Sequence, residues 1–360
     1  MSNEPNESRI KVLIVDDSAF MRMALSRIIV HDPHLCVVGT AATGVEALQK
    51  IVTLDPDVVT LDVEMPGLNG LETLRCIMAE FPRPVIMVSS ATLESAEITF
   101  NALAAGAFDY VPKQLSSTSL DILHIGKDLV AKIKAAAESR HRIDLLRKPP
   151  RAVDPPARAA SHSVPVIIAL GVSTGGPKAL QEMLPTLPAD LAVPILIVQH
   201  LPMGFTAPFA KRLNSLCAVS VCEACQGEVI QPGAVYLAPT GFQMTVNRPS
   251  DSRTIICLSI KPENQMHVPS VDVMMESVAS AFHSQAMGII LTGMGADGAQ
   301  GMTAIHREGG LTVGQDEASC AVYGMPRVCA EMGILDRVVP LSQISHEILQ
   351  ATHYRKACAI

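Results

Sequence analysis

From Ile10 to about Ile133 the chain alternates short apolar runs with stretches of helical periodicity, and this alternation constrains the fold more than any other feature. The runs are Ile10–Val15, Leu35–Gly39, Val58–Leu61, Val85–Val88 and Phe108–Val111; the helical stretches begin near Ser18, Gly44, Gly70, Leu93 and Ser119. Runs this short, bounded by turn residues, read as strands. Strands that are apolar throughout need cover on both faces, and strand–helix–strand succession supplies it in a parallel sheet. In the last helical stretch Ile122, Ile125, Leu129 and Ile133 recur at helical spacing, with Lys127, Asp128, Lys132 and Lys134 on other faces.

The pattern breaks near Arg140. Residues 140–163 are rich in proline, arginine and alanine and lack apolar periodicity, which predicts an extended, solvated linker. Strand–helix alternation then resumes with Val166–Leu170, Ile195–Gln199, Gly288–Leu291 and Leu311–Gly314. Between Val219 and Ile260 short strands and turns replace the helices, predicting an antiparallel excursion. The clearest helix of this half, Pro269–Phe282, carries a stripe of Val271, Met274, Met275, Val278 and Phe282 that reads as core. The expected fold class is thus α/β: two doubly wound, mostly parallel domains over residues 8–138 and 164–356, joined by a linker over 139–163. A chain of 360 residues is long enough for two domains of roughly 150 each.

Composition removes several function classes. A mean hydropathy of +0.30 raises the question of a membrane. The longest apolar runs, however, contain proline and fall short of the ~20 residues a spanning helix needs. The polar N-terminus lacks the apolar core of a signal peptide, so a cytoplasmic protein is expected. The net charge of −7 makes nucleic acid a poor partner. Nine scattered cysteines fit reduced thiols, and the Cys222/Cys225 pair, with no second pair or nearby histidine, reads as strand residues and not as a metal site.

In open α/β sheets function gathers at the carboxyl ends of the strands. Asp16 and Asp17 follow the first strand of the chain and Asp62 the third; Ser89 closes the fourth and Lys113 follows the fifth. Helix capping accounts for one such aspartate, not for the whole set. Clustered carboxylates repel one another and call for a cation, and magnesium suits oxygen ligands shared with a phosphate. Asp62 is then a carboxylate nucleophile toward a phosphoryl group, with Lys113 and Ser89 on the phosphoryl oxygens. On the segments VLIVDDS, VTLDVEMPGLNG, PVIMVSS and DYVPK, this half resembles the receiver domains of response regulators. The resemblance implies a flavodoxin-like fold, phosphorylation of Asp62 by a histidine kinase and a rotameric switch at Tyr110 coupled to Ser89. It also implies magnesium held by Asp17, Asp62 and the backbone carbonyl of Glu64, with Asp16 acting through water.

In the second half the strand Val166–Leu170 runs into Gly171-Val172-Ser173-Thr174-Gly175-Gly176-Pro177-Lys178. Pro177 stands where a P-loop needs lysine, and Ser173 where a dinucleotide fingerprint needs its second glycine. The match is to G-x-S-x-G, a turn that lifts a serine hydroxyl clear of a sheet. A serine nucleophile needs a base, and the base an orienting group. His200 follows the strand that ends at Gln199, although a histidine there is equally well structural. Asp297 lies in a glycine-rich turn after Gly288–Leu291, and the N–H groups near Thr174 and Met294 are candidate oxyanion donors. A rival stays open: residues 293–298 satisfy G-x-G-x-x-G after a strand, with Asp316 about 20 residues on.

On GVSTGGP, PILIVQHLPMGF, PGAVYLAPTG, HVPSVDVMMESVA, GIILTGMGADGAQGM, TVGQDEASCAVYGMPR and VVPL, this half resembles the chemotaxis protein-glutamate methylesterases. The resemblance implies a Ser173–His200–Asp297 triad that hydrolyses glutamate methyl esters on chemoreceptor signalling helices, often with glutamine deamidation, and needs no cofactor for the ester step. It also implies that the unphosphorylated receiver covers the active site. Two positions depart from the family pattern: Val268 replaces an arginine after His267, and Gln243 replaces a histidine before Met244. Both departures are expected to bear on the substrate surface.

Overall fold

The computed structural model describes residues 9–90, 92–113, 119–145, 162–248, 253–260 and 267–354. It divides into two compact units, Met1–Arg151 and Ala152–Ile360.

The first unit contains strands β1 (Ile10–Val15), β2 (Leu35–Ala41), β3 (Val58–Asp62), β4 (Val85–Ser89) and β5 (Asp109–Pro112). Its helices are α1 (Ala19–Val30), α2 (Gly44–Leu54), α3 (Gly70–Glu80), α4 (Leu93–Ala104) and α5 (Ser119–Leu145). The strands form one parallel sheet in the order β2-β1-β3-β4-β5, so Asp16, Asp62 and Ser89 emerge at the same edge. Side chains alternate across the sheet. Val12, Ile14, Ile86 and Val88 meet Leu25 and Ile29 of α1 and Leu129 and Ile133 of α5; Leu13, Leu61 and Met87 lie on the other face and are fully buried. Side-chain caps at Ser18 and Thr43 start α1 and α2 close to the sheet edge, and Asn69 caps α3 at the end of the seven-residue loop that follows Asp62.

The linker boundary needs correction. α5 continues to Leu145, into the segment read as linker from residue 139. Glycine and proline are missing from the sequence between Ala135 and Leu145, so nothing there stops a helix, and the first proline comes only at Pro149. The rest of the predicted linker, from 146 to 161, lies outside the described residues.

The second unit has strands β6 (Ile167–Val172), β7 (Ile195–Gln199), β8 (Ser220–Glu223), β9 (Ala234–Leu237), β10 (Gln243–Asn247), β11 (Ile255–Ser259), β12 (Ala286–Ile290), β13 (Leu311–Gln315) and β14 (Arg337–Val339). Its helices are α6 (Gly176–Met183), α7 (Thr206–Leu216), α8 (Val271–Phe282), α9 (Ala299–Arg307), α10 (Met325–Glu331) and α11 (Leu341–Ala351). Seven strands form a parallel sheet in the order β14-β13-β12-β6-β7-β9-β8. β6 is central, with β7 on one side and β12 on the other, which makes the β6/β12 boundary a topological switch point.

The antiparallel excursion is smaller than the turn-rich sequence implies. Among the described residues β10 and β11 are the one antiparallel strand pair, a separate two-stranded sheet to which Val229 adds a single antiparallel bridge at Ile255. β8 and β9, from the same interval, run parallel in the main sheet, joined without a helix. The apolar stripe of α8 is core: Val271, Met274, Met275, Val278 and Phe282 pack with Val198, Met302 and Ile305. No described helix is long and apolar enough to cross a membrane.

Candidate active site and receiver pocket

Three strand ends of the second sheet converge on one constellation. β6 runs into Ser173, whose N–H donates to Thr292 O at 3.0 Å; β7 runs into His200, whose N–H donates to Val172 O at 3.2 Å. The turn after Ser173 passes through Gly175 at φ +74°, a left-handed conformation that glycine adopts without strain, and α6 begins at the next residue. His200 Nδ1 lies 3.1 Å from Ser173 Oγ, and His200 Nε2 lies 2.8 Å from Asp297 Oδ2. The carboxylate assigns the tautomer: Nε2 carries the hydrogen toward Asp297, and Nδ1 is left to accept from the serine hydroxyl.

Asp297 sits at the N-terminus of α8. Besides His200, it accepts from Val271 N at 2.8 Å, Asp272 N at 3.1 Å and Ser270 Oγ at 2.8 Å. Burial works to raise its pKa, but the hydrogen bond and charge of His200 and the helix N–H groups outweigh it and hold the carboxyl well below the usual range. The rival dinucleotide reading meets this geometry directly. The acid in the glycine-rich turn is engaged by His200 and α8, and Asp316 Oδ1 is engaged by Ser319 N and Oγ.

Of the oxyanion candidates, Thr174 is buried at the start of α6, and its carbonyl accepts from Thr292 Oγ1 at 2.9 Å. Met294 follows Gly293, which packs directly on Ser173: a Cβ at position 293 would lie 2.9 Å from Ser173 Cβ. Both backbone amides therefore belong to turns that flank the serine.

His267 stacks on His200, with ring centroids 4.2 Å apart and planes 13° apart. Burial, then the neighbouring His200, lower its pKa, which favours a neutral ring. Gln243 is fully buried and not part of a substrate surface: its Nε2 donates to His267 O at 2.9 Å and its Oε1 accepts from Ser270 N at 2.7 Å. Val268 is half-buried beside it, its carbonyl accepting from Gly241 N. Sequence reasoning missed Ser270, Gln199 and Thr292, all buried and all bonded to this constellation. The available signal was a polar residue closing an otherwise apolar run, as in ILIVQ of β7.

In the first unit, carboxylate oxygens of Asp16, Asp17 and Asp62 lie within 4.8 Å of one another. Lys113 Nζ lies 2.6 Å from Asp62 Oδ2 and 3.0 Å from Asp16 Oδ2. Arg22 Nη1 donates to the carbonyls of Asp16 and Asp17, at 2.7 and 2.9 Å, and fixes the aspartate turn. Burial chiefly, with the charge of Asp16, raises Asp62 to about 6 against the opposing pull of Lys113. Desolvation acts to lower Lys113, but Asp62 and Asp16 outweigh it and raise its pKa. Glu64 N donates to Asp62 Oδ1, and Glu64 Oε1 accepts from Ser90 Oγ. A hard, all-oxygen donor set of this size fits magnesium.

Ser89 is buried, with its hydroxyl toward α4, where Thr99 Oγ1 donates to it at 2.8 Å. Tyr110 is buried edge-on to Phe100, with ring centroids 6.3 Å apart. Lys132, a residue sequence reasoning placed only on a helix face, donates to Tyr110 O at 2.7 Å and lies 5.5 Å from the ring centroid.

A Ser–His–Asp constellation at the switch point of a parallel sheet, in a chain that also carries a flavodoxin-like unit with an acidic pocket, defines a receiver-linked esterase class. Residues 168–348 match the CheB methylesterase family and residues 12–123 the response regulator receiver domain. The protein-glutamate methylesterase/protein-glutamine glutaminase 1 of Oleidesulfovibrio alaskensis is 44% identical, over 96% of this chain and all of that relative. The protein-glutamate methylesterase/protein-glutamine glutaminase of Pyrococcus horikoshii is 44% identical over 95% of this chain and 94% of its own. The crystal structure of the Thermotoga maritima CheB methylesterase catalytic domain is 34% identical with a TM-score of 0.51, over 52% of this chain and 99% of that one. The chain belongs to the CheB methylesterase family: it is a methylesterase that carries a receiver domain.

Proposed function

We propose that this enzyme hydrolyses glutamate methyl esters, and deamidates selected glutamines, on chemoreceptor signalling helices, under control of phosphorylation at Asp62. The observation that carries the reading is the continuous relay from Ser173 Oγ through His200 to Asp297, at 3.1 and 2.8 Å. Ser173 Oγ attacks the ester carbonyl carbon while His200 Nδ1 takes the hydroxyl proton, and Asp297 stabilises the imidazolium. The tetrahedral oxygen is held by backbone N–H groups of Thr174 and Met294. His200 then returns its proton to the departing methoxide, releasing methanol and leaving an acyl-serine. Water attacks that ester with His200 taking its proton; the acyl carbon–Ser173 Oγ bond then breaks, His200 returns the proton to Oγ, and the glutamate carboxylate leaves. A glutamine follows the same steps with ammonia as leaving group.

In the receiver unit Asp62 is the phosphoacceptor. Asp17, Asp62 and the Glu64 carbonyl would hold magnesium, with Asp16 acting through water; when bound, the ion neutralises phosphoryl and carboxylate charge. Lys113 offsets charge on the phosphoryl oxygens, and Ser89 and Tyr110 report the modified state to the rest of the unit. The phosphodonor is a chemotaxis-type histidine kinase, the setting is the cytoplasm, and the unphosphorylated receiver restrains the esterase. The test is methanol release from methylated receptor membranes, with and without a small phosphodonor. Release stimulated by the donor and lost in Ser173→Ala is expected; substantial release from Ser173→Ala overturns the triad, and indifference to the donor overturns the control.

A further inference from the structure

Gln199 closes β7 one residue before His200 and is buried. Its Nε2 donates to two backbone carbonyls, that of Ser173 at 2.9 Å and that of His200 at 3.1 Å. Both amide hydrogens are thereby used. This settles the orientation of the amide, because turning it over would set Oε1 against two carbonyl oxygens. Oε1 itself is buried without a hydrogen-bond partner among the described residues. It packs against Gly176, where a Cβ would lie 2.0 Å from it.

Methionine or leucine would fill this strand end with no unpaired acceptor of its own, at the cost of the donor that His200 O has here. An amide whose donor half is fully used while its acceptor half is left unpaired is poorly explained by packing. Its two partners belong to the two residues whose side chains must meet. Of the backbone bonds at these turns, Ser173 N to Thr292 O and Gly176 N to Ser173 O do not reach His200, while the bond from His200 N to Val172 O joins the two strand ends one residue before Ser173. Among the described residues only Gln199 ties the backbone of Ser173 itself to that of His200.

We infer that Gln199 is a positioning residue that clamps the Ser173 turn to the His200 turn and so sets the separation between Ser173 Oγ and His200 Nδ1. It touches neither substrate nor the reacting atoms. The inference rests on the Ser173–His200–Asp297 reading above. An error on the order of 1 Å in that separation costs about a hundredfold in rate without weakening ester binding, since the substrate surface is untouched.

The test uses the full-length chain with Gln199→Met and Gln199→Glu, which keep the side chain's size but remove the double donor. Three quantities are measured: kcat and KM for methanol release from methylated receptor membranes, the rate of Ser173 labelling by a fluorophosphonate probe, and the melting transition. A fall in kcat and labelling of at least about tenfold, with KM little changed and a cooperative melt retained, is expected. A kcat near that of the unsubstituted chain, or a loss confined to KM, overturns the clamp. If Gln199→Met fails to fold, Gln199→Glu decides; if neither folds, Gln199 is scaffold and the inference falls. Ser173→Ala runs alongside. Should it stay active and labelled, the triad reading itself is wrong; should it be inert while both Gln199 variants behave normally, only the clamp is wrong.

Discussion

His200 Nε2 and the Val271 N–H both point at Asp297 Oδ2, each at 2.8 Å. The acid of the relay is therefore also the anion at the N-terminus of α8, and a single carboxylate joins the chemistry of the site to the packing of the apolar α8 stripe. Such an acid is held in place by the helix N–H groups, and the imidazole is oriented by a carboxylate with three other hydrogen bonds.

Asp297→Asn is expected to lower kcat by about 10³–10⁴-fold, since an amide no longer enforces the imidazole tautomer. The same variant has a pH signature. The folded pKa of Asp297 lies below the ordinary value of 3.8, so in acid the folded chain binds fewer protons than the unfolded one. The ionised carboxylate thus contributes stability that is fully present above that value and lost as pH falls below it. Denaturant titrations of the two proteins should differ by roughly 2 kcal/mol at neutral pH and converge in acid; a gap that is constant with pH would contradict the assignment.

Asp62→Asn should take up no label from a small phosphodonor. For the unsubstituted chain, chelation of magnesium should abolish labelling and added magnesium restore it, because three carboxylates this close to one another need the ion before a phosphoryl group can approach. Basal methanol release, which uses no metal in the proposed mechanism, should be indifferent to the chelator. Labelling that persists in chelator removes magnesium from the scheme.

Gly293→Ala introduces a Cβ that would lie 2.2 Å from Met325 Sδ and 2.9 Å from Ser173 Cβ. Met325 is buried and Ser173 is held by Gln199 and Thr292, so neither gives way cheaply. A stability loss of about 1–3 kcal/mol is expected, together with a fall in kcat larger than that loss explains. Unchanged methanol release would show that Ser173 tolerates displacement.

Gln243→Leu removes the buried partners of His267 O and Ser270 N. Each orphaned group costs about 1–3 kcal/mol, and the turn that carries the His267 stack and the Asp297-bound Ser270 should loosen. A drop in melting temperature with reduced kcat is the expected outcome. A change confined to receptor affinity would instead place Gln243 in the substrate surface.

Much of this was legible residue by residue. Apolar runs that stop at Asp16, Asp62, Ser89, Ser173 and Gln199–His200 announce parallel strands with chemistry at their carboxyl ends, because strand length and apolarity are local properties. The glycines around Ser173 announce a tight turn for the same reason. What local pattern does not carry is adjacency. Nothing in the run Ala286–Ile290 says that it pairs with β6, yet that pairing brings Asp297 to His200 across 97 positions of sequence. Turn-rich spacing between Val219 and Ile260 reads as antiparallel whether or not β8 and β9 join the main sheet in parallel, because the sense of pairing depends on a neighbour far along the chain. Gln243 looks like a surface departure and Gln199 like the end of a strand until their amides are seen to hold His267, Ser270, Ser173 and His200. The sequence by itself determined the strand–helix alternation of the two units and the residue types at the strand ends. The tertiary structure alone decided which of those residues meet, because hydrogen-bond partnership in a buried site is a non-local outcome of how strands order and helices dock.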